Sequence, residues 1–122
     1  MWGFSLGTFP VVFNAAKYQV KAAVLQCPIG SLSCMFYEDY QDNIKFKEDH
    51  FANIDYIANI KGRILMMHST ADEIIPIQQA RLLYNKYTHK NGDRKIEFIE
   101  VEKIKHNSLH RFIISKGGNQ LQ

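Results

Sequence analysis

Apolar residues come in short blocks separated by polar turns, and their spacing changes from block to block. Over residues 6–17, LGTFPVVFNAAK, Leu6, Phe9, Phe13 and Ala16 recur at three- and four-residue intervals, which predicts a helix with that stripe turned inward. Pro10 fits only near its start, where a missing N–H costs little. AAVLQC at 22–27 is a continuous apolar run closed by Pro28 and Gly30, the pattern of a buried strand. IDYIANI at 54–60 predicts a short helix ended by Gly62, and RILMMHS at 63–69 a second buried strand. PIQQARLLYNKYT at 76–88 predicts a helix whose first turn takes Pro76 and whose apolar face is Ala80, Leu83, Tyr84 and Tyr87; NGD at 91–93 then turns the chain. KIEFIEV at 95–101 alternates Ile96, Phe98 and Val101 with Lys95, Glu97 and Glu100, as an edge strand does. A last helix is expected from Ser108 to Ser115, with GGNQLQ as a frayed tail. Residues 31–53 have no dominant period and predict a long excursion with one short helix.

The order helix, strand, excursion, strand, helix, strand, helix implies an α/β fold with a parallel sheet. Three strands are legible, few for a sheet covered on both faces. Neither internal repeats nor low-complexity segments occur.

Composition narrows the function classes. A net charge of +3 with Lys and Arg interleaved among Asp and Glu does not imply a nucleic-acid surface. The longest apolar runs reach about half a membrane span, so no transmembrane helix is expected, and residues 1–20 lack the pattern of a signal peptide. Cys27 and Cys34 do not make a disulfide framework; free thiols in a reducing, cytoplasmic compartment are expected.

GFSLG at 3–7 has the spacing of a nucleophile elbow and opens the first helix. A serine hydroxyl needs a base within hydrogen-bond reach and a third group to orient that base. In such an elbow the flanking glycines avoid clashes with the neighbouring strand and helix, and the N–H after the serine, here that of Leu6, helps hold an oxyanion. The plain alternative is that Ser5 caps a helix. Two further residues bear on the choice. Asp72 lies in HSTADEIIP, after the second strand, and His106 lies in KIKHNSLH, after the third. The order Ser, Asp, His is the one expected, and catalytic groups of open parallel sheets gather at the carboxyl ends of strands. Asp72 as a helix cap and His106 as an exposed loop histidine are the plain alternatives. His110 competes for the role of base, and His106 with His110 has the spacing of a metal pair without a third ligand. His68, at a strand end, is expected to pack and shape the loop holding Asp72. No metal or cofactor is expected.

GFSLGTFPVVFNAAKY followed by AAVLQCPIGSLSCMF resembles the nucleophile helix and following strand of α/β-hydrolases, in particular those of the α/β-hydrolase domain-containing protein 17 type. ILMMHSTADEIIPIQQARLLYNKY and IEFIEVEKIKHNSLHRFI resemble the acid loop and the histidine loop of that family. The similarity runs over most of residues 3–113. It implies a catalytic triad of Ser5, Asp72 and His106, with the Leu6 amide as an oxyanion donor. It also implies a serine hydrolase of acyl esters and thioesters, including depalmitoylation of acylated proteins, in the cytoplasm or at the periphery of membranes. Two local departures stand out: Ser69 and Lys105 occupy places where the family commonly has glycine.

On this resemblance, residues 1–122 correspond to the C-terminal part of a single α/β-hydrolase domain that starts at the nucleophile elbow, a partial fold of about three parallel strands with flanking helices and without the N-terminal strands. The strand delivering Ser5 is expected to be absent, which would leave AAVLQC as an exposed apolar edge and impair catalysis. A second outcome follows: a catalytically silent hydrolase-like chain that binds a partner along this edge, or one that a partner completes with the missing strands. The aromatics Phe36, Tyr37, Tyr40 and Phe46 are candidates to line an acyl groove, or to pack in the core.

Overall fold

The computed structural model describes residues 1–36, 49–109 and 111. Tyr37, Tyr40, Phe46, the Phe36 side chain, His110, the last helix beyond Leu109 and the tail lie outside the described residues.

Four parallel strands, β1 (Trp2–Phe4), β2 (Ala22–Gln26), β3 (Arg63–Ser69) and β4 (Ile96–Val101), form one sheet in the order β1-β2-β3-β4. Helices α1 (Thr8–Lys17), α2 (Leu32–Phe36), α3 (Asn53–Tyr56) and α4 (Gln78–Asn91) connect them, with 3₁₀ turns at Ser5–Gly7, Ile57–Asn59 and His106–Ser108.

The expectation of three strands and an exposed β2 is corrected by β1. Trp2, Gly3 and Phe4 pair with Val24, Leu25 and Gln26, and the Met1 carbonyl accepts from the Val24 N–H at 2.8 Å. β2 is therefore paired on both sides, and β1 and β4 are the edges. Three residues suffice because a parallel ladder is set by its neighbour's register, and a tripeptide carries no periodicity to be seen in a sequence.

The alternation of the strands divides the core. Ala23, Leu25, Ile64 and Met66 face α1, α3 and α4 and pack with Val12, Ala15, Ile54, Ile57, Leu83 and Tyr87. Met67 lies on the other face with Cys27 and Leu109, against Phe4, Val24 and Leu65. Full burial of Leu25 and of Met66 contributes about 2 kcal/mol each.

α1 departs from the stripe expected of it. Its buried residues are Thr8, Val11, Val12 and Ala15, while Leu6 is 45% and Phe13 37% exposed. The stripe of large aromatics lies one step around the helix. There Phe9 and Phe13 meet the rings of Phe51 and Tyr56, with centroids 5.2 to 6.3 Å apart. The smaller β-branched residues take the inner face because α1 lies close over β1 and β2.

That closeness explains one glycine of GFSLG and not the other. A Cβ on Gly3 would sit 2.5 Å from the Gly7 carbonyl oxygen and 2.8 Å from the Thr8 Cα, both backbone atoms that cannot swing away. Gly7 has open space and an ordinary helical φ of −65°. Gly3→Ala is therefore expected to cost about 2 kcal/mol through overpacking. Gly7→Ala should stay within about 0.5 kcal/mol of the parent. Urea denaturation of both variants measures the difference, and equal losses would contradict this account.

Candidate active site

Ser5 follows β1 without a spacer. Phe4 is extended, with φ −126° and ψ 130°, and Ser5 turns to φ 56° before the chain enters the 3₁₀ turn and α1. A non-glycine residue in the left-handed region costs about 1–2 kcal/mol, so the neighbours must hold it there. β1 pairing holds it from one side. From the other, the Ser5 carbonyl accepts from the Thr8 hydroxyl at 2.6 Å.

Asp72 sits in the loop after β3. Its Oδ1 accepts from the N–H groups of Ile74 and Ile75 at 3.0 and 2.8 Å, which closes the loop around the carboxylate. His106 opens the 3₁₀ turn after β4, and its own N–H donates to a Glu73 carboxylate oxygen at 3.1 Å. The Phe4 ring lies 4.9 Å from the imidazole, centroid to centroid.

These three loops bring Ser5, Asp72 and His106 together at the carboxyl edge of the sheet. His106 Nδ1 is 2.6 Å from Asp72 Oδ2, and His106 Nε2 is 3.0 Å from Ser5 Oγ. A carboxylate only accepts, so Nδ1 carries the proton and Nε2 is left to accept from the Ser5 hydroxyl. The Asp72 side chain has no exposed surface and that of His106 is 4% exposed. Burial by itself pushes the Asp72 carboxyl up; the hydrogen bonds from His106, Ile75 and Ile74 outweigh it and hold the group below its usual range.

His68 is fully buried at the end of β3. Its Nε2 is 2.8 Å from the Ile75 carbonyl and 3.3 Å from Asp72 Oδ2. Both neighbours accept, so Nε2–H is the donor, and the ring braces the loop on which Asp72 stands. Nδ1 is buried without a partner among the described residues. Burial first, opposed by the Ile75 carbonyl and Asp72, holds His68 below its ordinary value and therefore neutral.

Cys27 ends β2 in the left-handed region, at φ 48°. Its thiol lies within 4.8 Å of the ligand atoms of Asp72 and His106, a set of residue types that can hold a metal. Burial, and then Asp72, push this thiol far above its usual range, so it stays protonated and donates toward the carboxylate rather than offering a thiolate. Asp72 and His106 are already engaged with each other, so the set favours a hydrogen-bonded network over a metal centre.

The two departures from glycine have opposite consequences. The Ser69 hydroxyl accepts from the N–H groups of Ala71 and Ile104, both at 3.1 Å, and so ties the acid loop to the histidine loop. Glycine could not make this link. Lys105 has φ −70° and ψ 155°, an ordinary extended conformation that does not require glycine. Thr8, Asn53, Ser69 and Glu73 escaped the reading of the sequence as site residues. Only Ser69 left a signal there, as a departure from glycine.

A concavity of about 770 Å³ between α3 and α4 is lined by Ile54, Leu82, Lys86 and Lys90 among others, and includes none of Ser5, Asp72 and His106. Among the described residues no helix is long and apolar enough to cross a membrane.

A parallel sheet with a strand–serine–helix elbow, an acid after β3 and a histidine after β4 has the arrangement of an α/β-hydrolase. Comparison with known proteins agrees. The chain is 31% identical over 112 residues to human alpha/beta hydrolase domain-containing protein 17B, covering 92% of this chain and 36% of that protein. It is 29% identical to the mouse 17C protein, with 92% and 33% covered. Among solved structures it matches the uncomplexed Pyrococcus horikoshii acylaminoacyl peptidase at a TM-score of 0.69 and 19% identity, over 89% of this chain and 20% of that one. It matches Est1E from Butyrivibrio proteoclasticus at 0.64 and 16%, over 97% and 56%. No protein-family model matches the chain. The chain has the fold of the α/β-hydrolases and is similar in sequence to alpha/beta hydrolase domain-containing proteins, and it spans about a third of the length of the curated relatives it matches.

Two outcomes test this account of the site. Ser69→Ala should lower stability by about 1 kcal/mol in urea denaturation, because two backbone donors lose their acceptor. The second concerns pH. A histidine held neutral in the fold binds its proton more readily when unfolded, so stability rises with pH. The His68 contribution is complete above about 6.5 and is lost as pH falls below that. Asp72 adds a loss of the same sign at lower pH, below about 3.9. Melting temperatures should therefore fall between pH 7.5 and 5.5, and His68→Gln should flatten that fall; an unchanged pH slope would refute the role given to His68.

Proposed function

We propose that the chain supplies the triad of a serine hydrolase that cleaves acyl esters and thioesters. The observation that carries the reading is the unbroken hydrogen-bonded line from Ser5 through His106 to Asp72, with Ser5 presented on a left-handed turn. Ser5 Oγ attacks the acyl carbonyl and its proton passes to His106 Nε2. The buried Asp72 carboxylate stabilises the imidazolium through Nδ1–H. The negative charge on the carbonyl oxygen meets the Leu6 N–H, one of the first amides of a helical segment, which lack intrahelical partners. When the tetrahedral intermediate collapses, the carbon–oxygen or carbon–sulfur bond breaks and His106 returns the proton to the departing alcohol or thiol. Water, deprotonated by His106, then releases the acid from Ser5.

Thioesters, and palmitoylated proteins among them, are the substrate class that the resemblance suggests, with action at the periphery of membranes. A partner that adds strands beside β1 belongs to the same proposal: it would pair the outer edge of β1 and supply a second N–H for the oxyanion. A second reading, a catalytically silent chain that binds a partner at that edge, is favoured by Met1 and Trp2, which are 55% and 59% exposed there.

A fluorescent fluorophosphonate separates the two. The hydrolase reading expects labelling of the parent, loss of it in Ser5→Ala, and a fall of at least about 10³-fold in His106→Ala. An unlabelled parent that circular dichroism shows to be folded would support the silent reading instead.

A further inference from the structure

The peptide unit between Ser5 and Leu6 carries two groups that the proposed mechanism depends on. One is the Leu6 N–H, offered to the oxyanion; the other is the Ser5 carbonyl, on the opposite edge of the same plane. A trans peptide is rigid, so whatever fixes the direction of the carbonyl fixes the direction of the N–H.

The carbonyl accepts from the Thr8 backbone N–H, which closes the 3₁₀ turn, and a second donor fixes it further from inside the protein. Thr8 is fully buried, and its hydroxyl donates to the Ser5 oxygen at 2.6 Å. A hydroxyl can turn its single proton in several directions. Here the choice is made by Asn53, also fully buried, whose Nδ2 donates to the Thr8 Oγ1 at 3.0 Å. With one lone pair of Oγ1 occupied by that donor, the hydroxyl proton is committed to Ser5. Asn53 is anchored in turn, because Nδ2 also donates to the Ile29 carbonyl at 2.8 Å. The Ile54 N–H donates to the Gly30 carbonyl at 3.0 Å, which docks α3 onto the chain leaving β2.

One feature separates this arrangement from ordinary packing. Asn53 Oδ1 is buried with no partner among the described residues. That unmet acceptor is a cost, set against the two hydrogen bonds that Nδ2 donates to Thr8 and to the Ile29 carbonyl.

We propose that Asn53 and Thr8 are positioning residues that aim the Leu6 N–H at the oxyanion by clamping the Ser5 carbonyl. Neither touches the reacting atoms. The proposal rests on the hydrolase reading for its consequence, and on the hydrogen-bonded line alone for its geometry, so the two are tested apart.

Geometry is read by the carbonyl ¹³C shift of Ser5 and the amide ¹⁵N shift of Leu6 in the labelled full chain. Thr8→Val keeps shape and removes the hydroxyl; Asn53→Leu removes the donors together with the unmet acceptor; Thr8→Ser restores the hydroxyl. Upfield movement of the Ser5 carbonyl in Thr8→Val and Asn53→Leu, reversed in Thr8→Ser, is expected, and unchanged shifts would overturn the proposal. Function is read by the fluorophosphonate rate and by kcat and KM on an acyl thioester. A fall of about 10- to 100-fold in kcat with KM unchanged is expected for Thr8→Val and Asn53→Leu, with recovery in Thr8→Ser. A rise in KM alone, or a Thr8→Ser variant as slow as Thr8→Val, would overturn it. If the parent does not label at all while the ¹³C shifts respond as expected, the hydrolase reading fails and the clamp stands. If Thr8→Val does not fold, the decision falls to Asn53→Leu and Thr8→Ser.

Discussion

Asp72 is a carboxylate with no exposed surface, and an ion out of water must be repaid in hydrogen bonds. The partners come from several parts of the chain. Ile74 and Ile75 supply amides from its own loop, His106 an imidazole N–H from the loop after β4, and His68 a second imidazole from the end of β3. Cys27 adds a thiol from the end of β2. Satisfying one charge thus fixes the relative positions of three strand ends. Ser5, on a fourth, joins through His106 at 3.0 Å. Removing any partner leaves the charge less compensated, so the loops are coupled energetically although most of their residues never touch.

The elements that carry burial were legible because burial imposes a period. β3 spans Arg63–Ser69, the segment built around the apolar run at 64–67, and β4 lies within its alternating segment. The face of α1 was not legible. Phe9 and Phe13 outweigh Val11, Val12 and Ala15 in any count of apolar surface, yet the narrow gap above β1 and β2 admits only the smaller residues. β1 was invisible because WGF has no pattern of its own; its register comes from β2.

The candidate site divides in the same way. The order Ser5, Asp72, His106 could be read because each follows a strand, and strand ends are where a parallel sheet presents its loops. What surrounds them could not. Asn53 meets Thr8 across 45 positions of the chain, and Ser69 meets Ile104 across 35. Hydrogen bonds at such separations leave no periodicity in a sequence. Ser69 was visible only as a departure, and its meaning came from geometry: a hydroxyl at that place links two loops that glycine would leave apart.

Backbone strain follows the chemistry. Of the described non-glycine residues with positive φ, Ser5 directly follows β1, Cys27 directly follows β2, and Lys103 comes two residues after β4. The fourth, Phe51, lies two residues before Asn53 and accepts from its N–H at 2.9 Å. Glycine would relieve each position, but not one of the four has it. At Ser5 and Cys27 the side chain is the reason, since the hydroxyl and the thiol point to His106 and Asp72. At Phe51 the ring packs against Phe9, while the turn delivers Asn53 to Thr8. At Ser5, Cys27 and Phe51 a side chain therefore leaves the backbone at a defined angle. The buried hydrogen bonds of Asp72, Thr8 and Asn53 are what hold these angles.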